Sequence, residues 1–194
     1  MLKKSVICLP LLLSGCGIFA VGGVGSIGMS AVEERGIGGV ASDQALRIKL
    51  NYELANELSD FTGIELTVYN GRVLLTGVAA NEQVKAHAVQ IAKRVSGVKE
   101  VIDGMNVKGE DGFAEYTRDA WMTTKLKAAL YSDEDVFAPN YVITTFDKVI
   151  YVFGFAESKK EMQTVIDYAY DITGVKKVVN LIELRGIPQK SKGH

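Results

Sequence analysis

The sequence predicts an α+β protein built from two tandem small α/β sandwiches, each a three-stranded mixed sheet with two helices on one face. Three observations carry that prediction. The chain repeats itself: Asn70-Gly71 matches Asp147-Lys148, Gly77 matches Gly154, and Ser96-Gly97-Val98-Lys99-Glu100-Val101 matches Thr173-Gly174-Val175-Lys176-Lys177-Val178, all 77 residues apart. In each copy apolar residues recur first at helical spacing, then alternate, then return to helical spacing before a last extended run. A two-residue turn signal lies at the middle of each alternating run.

Taken in order, the chain begins with the lysines Lys3 and Lys4, followed by Ser5 to Leu13, a run broken only by Pro10 and too short to cross a bilayer as a helix. This reads as a secretion signal spanning residues 1–15. Leu13-Ser14-Gly15-Cys16 resembles the lipobox of bacterial lipoproteins, in which the cysteine thiol is diacylglycerol-modified and the peptide is cut just before it. The resemblance implies lipidation at Cys16 and three acyl chains, each buried CH₂ contributing about 0.8 kcal/mol to anchorage. Gly17 stands where lipoproteins retained in the inner membrane usually carry Asp, so the resemblance implies the outer membrane, with the domains facing the periplasm. Residues 16–41 are expected to form the acylated cysteine and a glycine-rich tether, since residues 17–40 hold eight glycines and no sustained period.

The first domain is expected over residues 42–107. Ser42 is a candidate N-cap for a helix whose core stripe is Leu46, Leu50 and Leu54; Met122, Leu126 and Leu130 are the equivalents in the second copy, where this helix aligns at 76 residues. Ile64, Leu66 and Val68 alternate with Glu65, Thr67 and Tyr69, and Asn70-Gly71 supplies a type I′ turn that pairs Val68 with Val73 and Leu66 with Leu75. Asp147-Lys148 lacks the glycine, which leaves the type of the second turn open. A second helix follows, with Ala88, Ile91, Ala92 and Val95 in one copy and Val165, Tyr168, Ala169 and Ile172 in the other, where Ser158 and Glu161 form a capping box. Gly97 and Gly174 are expected as C′ residues, and strands from Val98 to Val107 and from Val175 to Leu184 complete the sheets. A linker over 108–112, a second domain over 113–186 and a polar tail over 187–194 complete the chain.

This order, the Ser/Thr-Gly-Val-Lys-x-Val sequence and the hairpin glycine resemble the BON domain, over about Ser42 to Val107 and Phe113 to Leu184. Two copies behind a lipobox resemble the dual-BON outer-membrane lipoproteins. That resemblance implies a non-enzymatic protein whose second domain binds anionic phospholipid through its first helix and supports envelope integrity, at the division site in its relatives. A different class of function stays open: an interaction module for outer-membrane protein assembly or cell-wall remodelling.

Composition narrows the chemistry. Loss of Lys3 and Lys4 with the signal leaves 20 basic against 23 acidic side chains, so no global attraction to nucleic acid is expected. Cys8 leaves with the signal and Cys16 is acylated, which removes disulfide chemistry. With His87 and His194 as the histidines, no zinc site is expected; Asp133-Glu134-Asp135 lacks the spacing of a calcium loop, and Gly36-Ile37-Gly38-Gly39 has no lysine for a phosphate loop. No paired carboxylates or activated nucleophile fall on matching elements, so no catalytic residue, metal or cofactor is assigned.

Differences between the copies point beyond the fold. Trp121 stands where the first copy has Ala45, one position off the core stripe. It either packs against protein or faces a membrane, where indole prefers the headgroup boundary and each nearby lysine adds about 1 kcal/mol on an anionic surface. The resemblance assigns phospholipid binding to Trp121, Lys125, Lys127 and Lys177. The outward face of the second hairpin carries Val142, Thr144, Phe146, Val149, Tyr151 and Phe153, against Glu65, Thr67, Tyr69, Arg72, Leu74 and Thr76 in the first. So apolar a face is expected to be covered by the first domain or by a partner protein.

Overall fold

The computed structural model describes residues 36–59, 61–107 and 114–185. The signal peptide, Cys16, most of the tether, the linker and the tail lie outside the described residues. In chain order the elements are α1 (Gly36–Glu57), β1 (Ile64–Tyr69), β2 (Arg72–Ala79), α2 (Glu82–Arg94), β3 (Glu100–Asp103), β4 (Asn106–Val107), α3 (Ala114–Ser132), a 3₁₀ turn (Ala138–Asn140), β5 (Tyr141–Phe146), β6 (Val149–Ala156), α4 (Lys159–Tyr170) and β7 (Lys177–Leu184). Both copies therefore read helix, hairpin, helix, strand.

Each sheet has the second hairpin strand at its centre. β1 pairs antiparallel with β2 in the expected register, Val68 with Val73 and Leu66 with Leu75, while β3 and β4 pair parallel with β2. In the second domain β5 and β7 flank β6 in the same senses. The alternation then sorts the side chains. Ile64, Leu66, Val73 and Leu75 turn toward Leu46, Leu50 and Leu54 of α1 and Ala88, Ile91 and Ala92 of α2. Ile143, Ile150 and Val152 meet Leu126 and Leu130 of α3 and Val165 and Ala169 of α4 in the same way.

The opposite faces of the two sheets pack on each other, giving four layers in the order helices, sheet, sheet, helices. Tyr69 and Phe153 are fully buried there, with ring centroids 5.7 Å apart, and Leu74 and Tyr151 complete the cluster. Thr67 and Thr144, one repeat apart, share a hydrogen bond of 3.1 Å across the layer. Arg72 donates to the Leu181 carbonyl at 2.8 Å and to Glu100 at 2.6 Å, lies 3.7 Å from Glu183, and places its guanidinium 5.5 Å from the centre of the Phe153 ring. The first domain is thus what covers the apolar face of the second hairpin.

Several local expectations are corrected. Ser42 is not an N-cap: α1 starts at Gly36, and the Ser42 hydroxyl donates to the Gly38 carbonyl inside the helix. In that longer helix Val40 and Asp43 line the cleft at the flank of the domain contact. Glu161 does not close a reciprocal box. Ser158 accepts from the Glu161 N–H at 3.0 Å, but the buried Glu161 carboxylate takes the N–H groups of Glu157 and Phe137 and so pins the loop after α3. Gly97 and Gly174 have positive φ, 103° and 87°, but lie beyond the caps Val95 and Asp171 rather than at C′. The last strand of the first domain breaks between β3 and β4, where Asp103 accepts from the Met105 N–H at 3.0 Å. Glycine is required at the break, because a Cβ on Gly104 would lie 2.4 Å from the Tyr151 hydroxyl across the layer.

The second hairpin turn is of the same kind as the first. Asp147 and Lys148 have φ of 48° and 62°, against 52° and 76° for Asn70 and Gly71. A lysine in this region is strained by about 1–2 kcal/mol. The strain is offset from α3: the Asp119 carboxylate accepts the N–H of Asp147 at 2.7 Å and of Lys148 at 2.9 Å. Asp43 does the same from α1, taking Asn70 N–H at 2.7 Å and Gly71 N–H at 2.9 Å. A buried aspartate on the first helix of each copy is therefore a structural device of the repeat.

Candidate functional site

The outward face of α3 is the candidate site. Met122, Leu126 and Leu130 are buried against the sheet, and Asp119 is tied to the hairpin turn, so the helix is fixed in rotation about its axis. At about 100° per residue this leaves Trp121, Lys125, Ala128 and Tyr131 along the solvent side. Trp121 is 45% exposed and Tyr131 56% exposed. The Lys125 ammonium sits 5.9 Å from the centre of the Trp121 ring, a cation–π contact that holds charge and indole together at the surface.

The other two predicted lysines stand apart from that pair. Lys127 is exposed, but about 120° around the helix from Trp121, one turn beyond Thr123, whose hydroxyl donates to Thr145 of β5 at 2.7 Å. Lys177 is exposed at the start of β7. It follows Gly174, whose Cβ position is 3.3 Å from the Met122 Cε, so the α4–β7 corner rests on the turn of α3 that carries Trp121. Lys176 beside it pairs with Asp147 at 2.8 Å.

The acidic run past α3 is partly committed to the fold. Asp133 accepts the Tyr168 hydroxyl at 2.9 Å, which raises the Tyr168 pKa, and takes the Asp135 N–H at 2.8 Å. Asp135 pairs with Lys160 at 3.1 Å. Phe137, 45% exposed, follows the run. Sequence reasoning singled out neither Tyr131 nor Phe137. Tyr131 was accessible to it, because it falls ten residues on from Trp121, about 80° around the helix and still clear of the Met122, Leu126 and Leu130 stripe.

His87 is partly exposed, with Nε2 3.5 Å from Glu57. Among the described residues no group of three His, Cys, Asp or Glu side chains converges to hold a metal ion, and no helix is long and apolar enough to cross a membrane. A cleft of about 960 Å³ lies between the flanks of α1 and α3 over β1 and β5, lined by Arg47, Asn51, Glu65, Thr123 and the paired Thr67 and Thr144. Trp121 and Lys125 are not part of it.

Two tandem domains of this topology match the BON domain, over residues 42–109 and 118–186, and the chain belongs to that family. Its two-domain layout is that of lipoproteins of the DolP type. It is 30% identical over 186 residues to outer membrane lipoprotein DolP of Haemophilus influenzae, a match that covers 94% of this chain and 96% of that one. It is also 26% identical to the 21 kDa hemolysin of Actinobacillus pleuropneumoniae over 78% of both chains. Osmotically-inducible protein Y of Escherichia coli is 27% identical, over 74% of this chain and 73% of that one. The relationship to DolP makes this an envelope-associated BON-domain protein.

Proposed function

We propose that this chain is an outer-membrane lipoprotein, anchored through acylated Cys16 and facing the periplasm, whose second domain docks on anionic phospholipid through α3 and so supports outer-membrane integrity, including at the division site. The observation that carries the reading is the exposed Trp121 with Lys125 over its ring, on a helix face that neither core uses. Indole at the headgroup boundary and an ammonium beside it suit an anionic interface, and Tyr131 lies exposed on the solvent side of the same helix ten residues, about 15 Å, further along. Lys127 and Lys177 flank the contact and add long-range attraction rather than contact. No catalytic step is assigned to the chain.

The apolar sheet face no longer serves the interaction-module reading, because the first domain occupies it. The test is co-sedimentation of residues 17–194, without the anchor, on phosphatidylglycerol and phosphatidylcholine vesicles. Binding to the anionic vesicles alone, weakened at least tenfold by Trp121→Ala, is the expected result. Failure of the folded chain to bind anionic vesicles at low salt refutes the reading.

A further inference from the structure

The solvent side of α1 carries an apolar stripe that neither core uses. Ala41, Ala45, Ile48, Tyr52 and Ala55 are exposed, Ile48 at 71% and Tyr52 at 64%. They follow one another at steps of four, three, four and three residues, which keeps them on one line of the helix. A solvated helix face has no use for such a line. The layer order sets it on the opposite outer surface from Trp121, with the two helix layers roughly 30 Å apart, so a flat bilayer that meets Trp121 does not reach Ile48.

We infer that α1 pairs antiparallel with α1 of a second copy of this chain, about a two-fold axis beside Ile48. The order of side-chain sizes points to a second copy. Centred on Ile48, the pair sets Ala41 against Ala55 of the partner subunit and Tyr52 against Ala45 of the partner subunit, so each large ring meets a methyl group and the helices approach closely. On one flank Gln44 faces Asn51 of the partner subunit, both able to donate and accept. On the other, Lys49 approaches Lys49 of the partner subunit, a solvated like-charge contact that added salt relieves.

The stripe is about 21 Å long, and a contact of that length buries less than the roughly 1,200 Å² of a stable complex. Pairing is therefore weak in dilute solution. The 19 residues between Cys16 and Gly36 lead directly into α1, and copies anchored on one surface raise each other's effective concentration. That part rests on the acyl-anchor reading. Pairing also turns the two α3 faces in opposite directions, so a paired copy and its partner cannot both lie flat on one bilayer through Trp121. Docking and pairing compete.

The test is oxidative cross-linking of full-length Ile48→Cys in the producing cells, carried out in whichever fraction holds the chain, so that fractionation reports anchorage separately. The parent chain, with Cys8 and Cys16, sets the background. Thr124→Cys, the matching exposed position of the second copy, is the control. The expected result is at least fivefold more disulfide dimer from Ile48→Cys, reduced severalfold by adding Ala45→Trp, a change whose counterpart in the second copy is Trp121. Equal yields at 48 and 124, a dimer indifferent to Ala45→Trp, or adducts to a protein of other mass each overturn the inference. Adding Trp121→Ala is expected to raise the dimer yield; an unchanged yield leaves the pairing standing and counts against lipid docking.

Discussion

Replacing Asp119 with alanine removes a buried carboxylate that holds the turn between β5 and β6. Two hydrogen bonds are lost, at 2.7 and 2.9 Å, and both join a charged acceptor to a backbone N–H. Bonds of that kind contribute about 1.5–3 kcal/mol each, so the expected loss is about 3–6 kcal/mol. For a unit of this size that corresponds to a fall in Tm of roughly 10 °C. The assay is urea and thermal unfolding followed by circular dichroism. Asp43→Ala removes the same pair of bonds from the Asn70-Gly71 turn and is expected to cost at least as much, because that turn has no lysine strain to shed when the bonds go. Lys148→Gly relieves strain at φ 62° and should stabilise the parent by about 1 kcal/mol. A loss below about 1 kcal/mol on Asp119→Ala, or no gain from Lys148→Gly in the parent, refutes the assignment of turn strain to Lys148 and of the hold on that turn to Asp119.

Two further outcomes follow from the layer between the sheets. Phe153→Glu places a charge where Tyr69 and Arg72 enclose a fully buried ring; a loss above about 3 kcal/mol is expected, and a chain that stays fully stable and active refutes the packed layer. The Tyr151 pKa is raised above 10.0, first by burial and then by Asp103 and Asp147. Its neutral form therefore stabilises the fold below pH 10.0, and that contribution is lost as the pH rises through the elevated folded value. Tyr151→Phe should flatten the alkaline fall in stability, measured as urea midpoints across that range; an unchanged slope assigns the fall to other groups.

Much of the architecture was legible in the sequence because it rests on local patterns. The 77-residue repeat, the alternation in β1 and β5 and the helical stripes of α1 and α3 define the two domains, and Asn70-Gly71 fixes the register of the first hairpin before any tertiary contact is known. The apolar outward face of β6 also announced a cover, since water does not favour Tyr151 and Phe153 together. The cover itself required three dimensions: Tyr69, Leu74 and Arg72 match that face only when the sheets stack, and no periodicity encodes which of two apolar surfaces is available.

The candidate site divides in the same way. Trp121 could be found by comparing copies, because an alanine and a tryptophan at one helix position cannot serve the same packing. Its partnership with Lys125 and its separation from Lys127 follow from helix spacing alone, but which of these residues faces solvent depends on how α3 is rotated, and that rotation is fixed by its buried stripe and by Asp119 reaching a turn 28 residues away. Likewise Glu161 carries the sequence signature of a local cap, yet burial sends its carboxylate to Phe137, 24 residues back. Sequence by itself determined the repeat and the order of helices and strands, which rest on local patterns in the chain. Tertiary structure alone decided which polar groups a buried carboxylate serves and which apolar faces remain open, because both depend on groups that meet only after the sheets have packed.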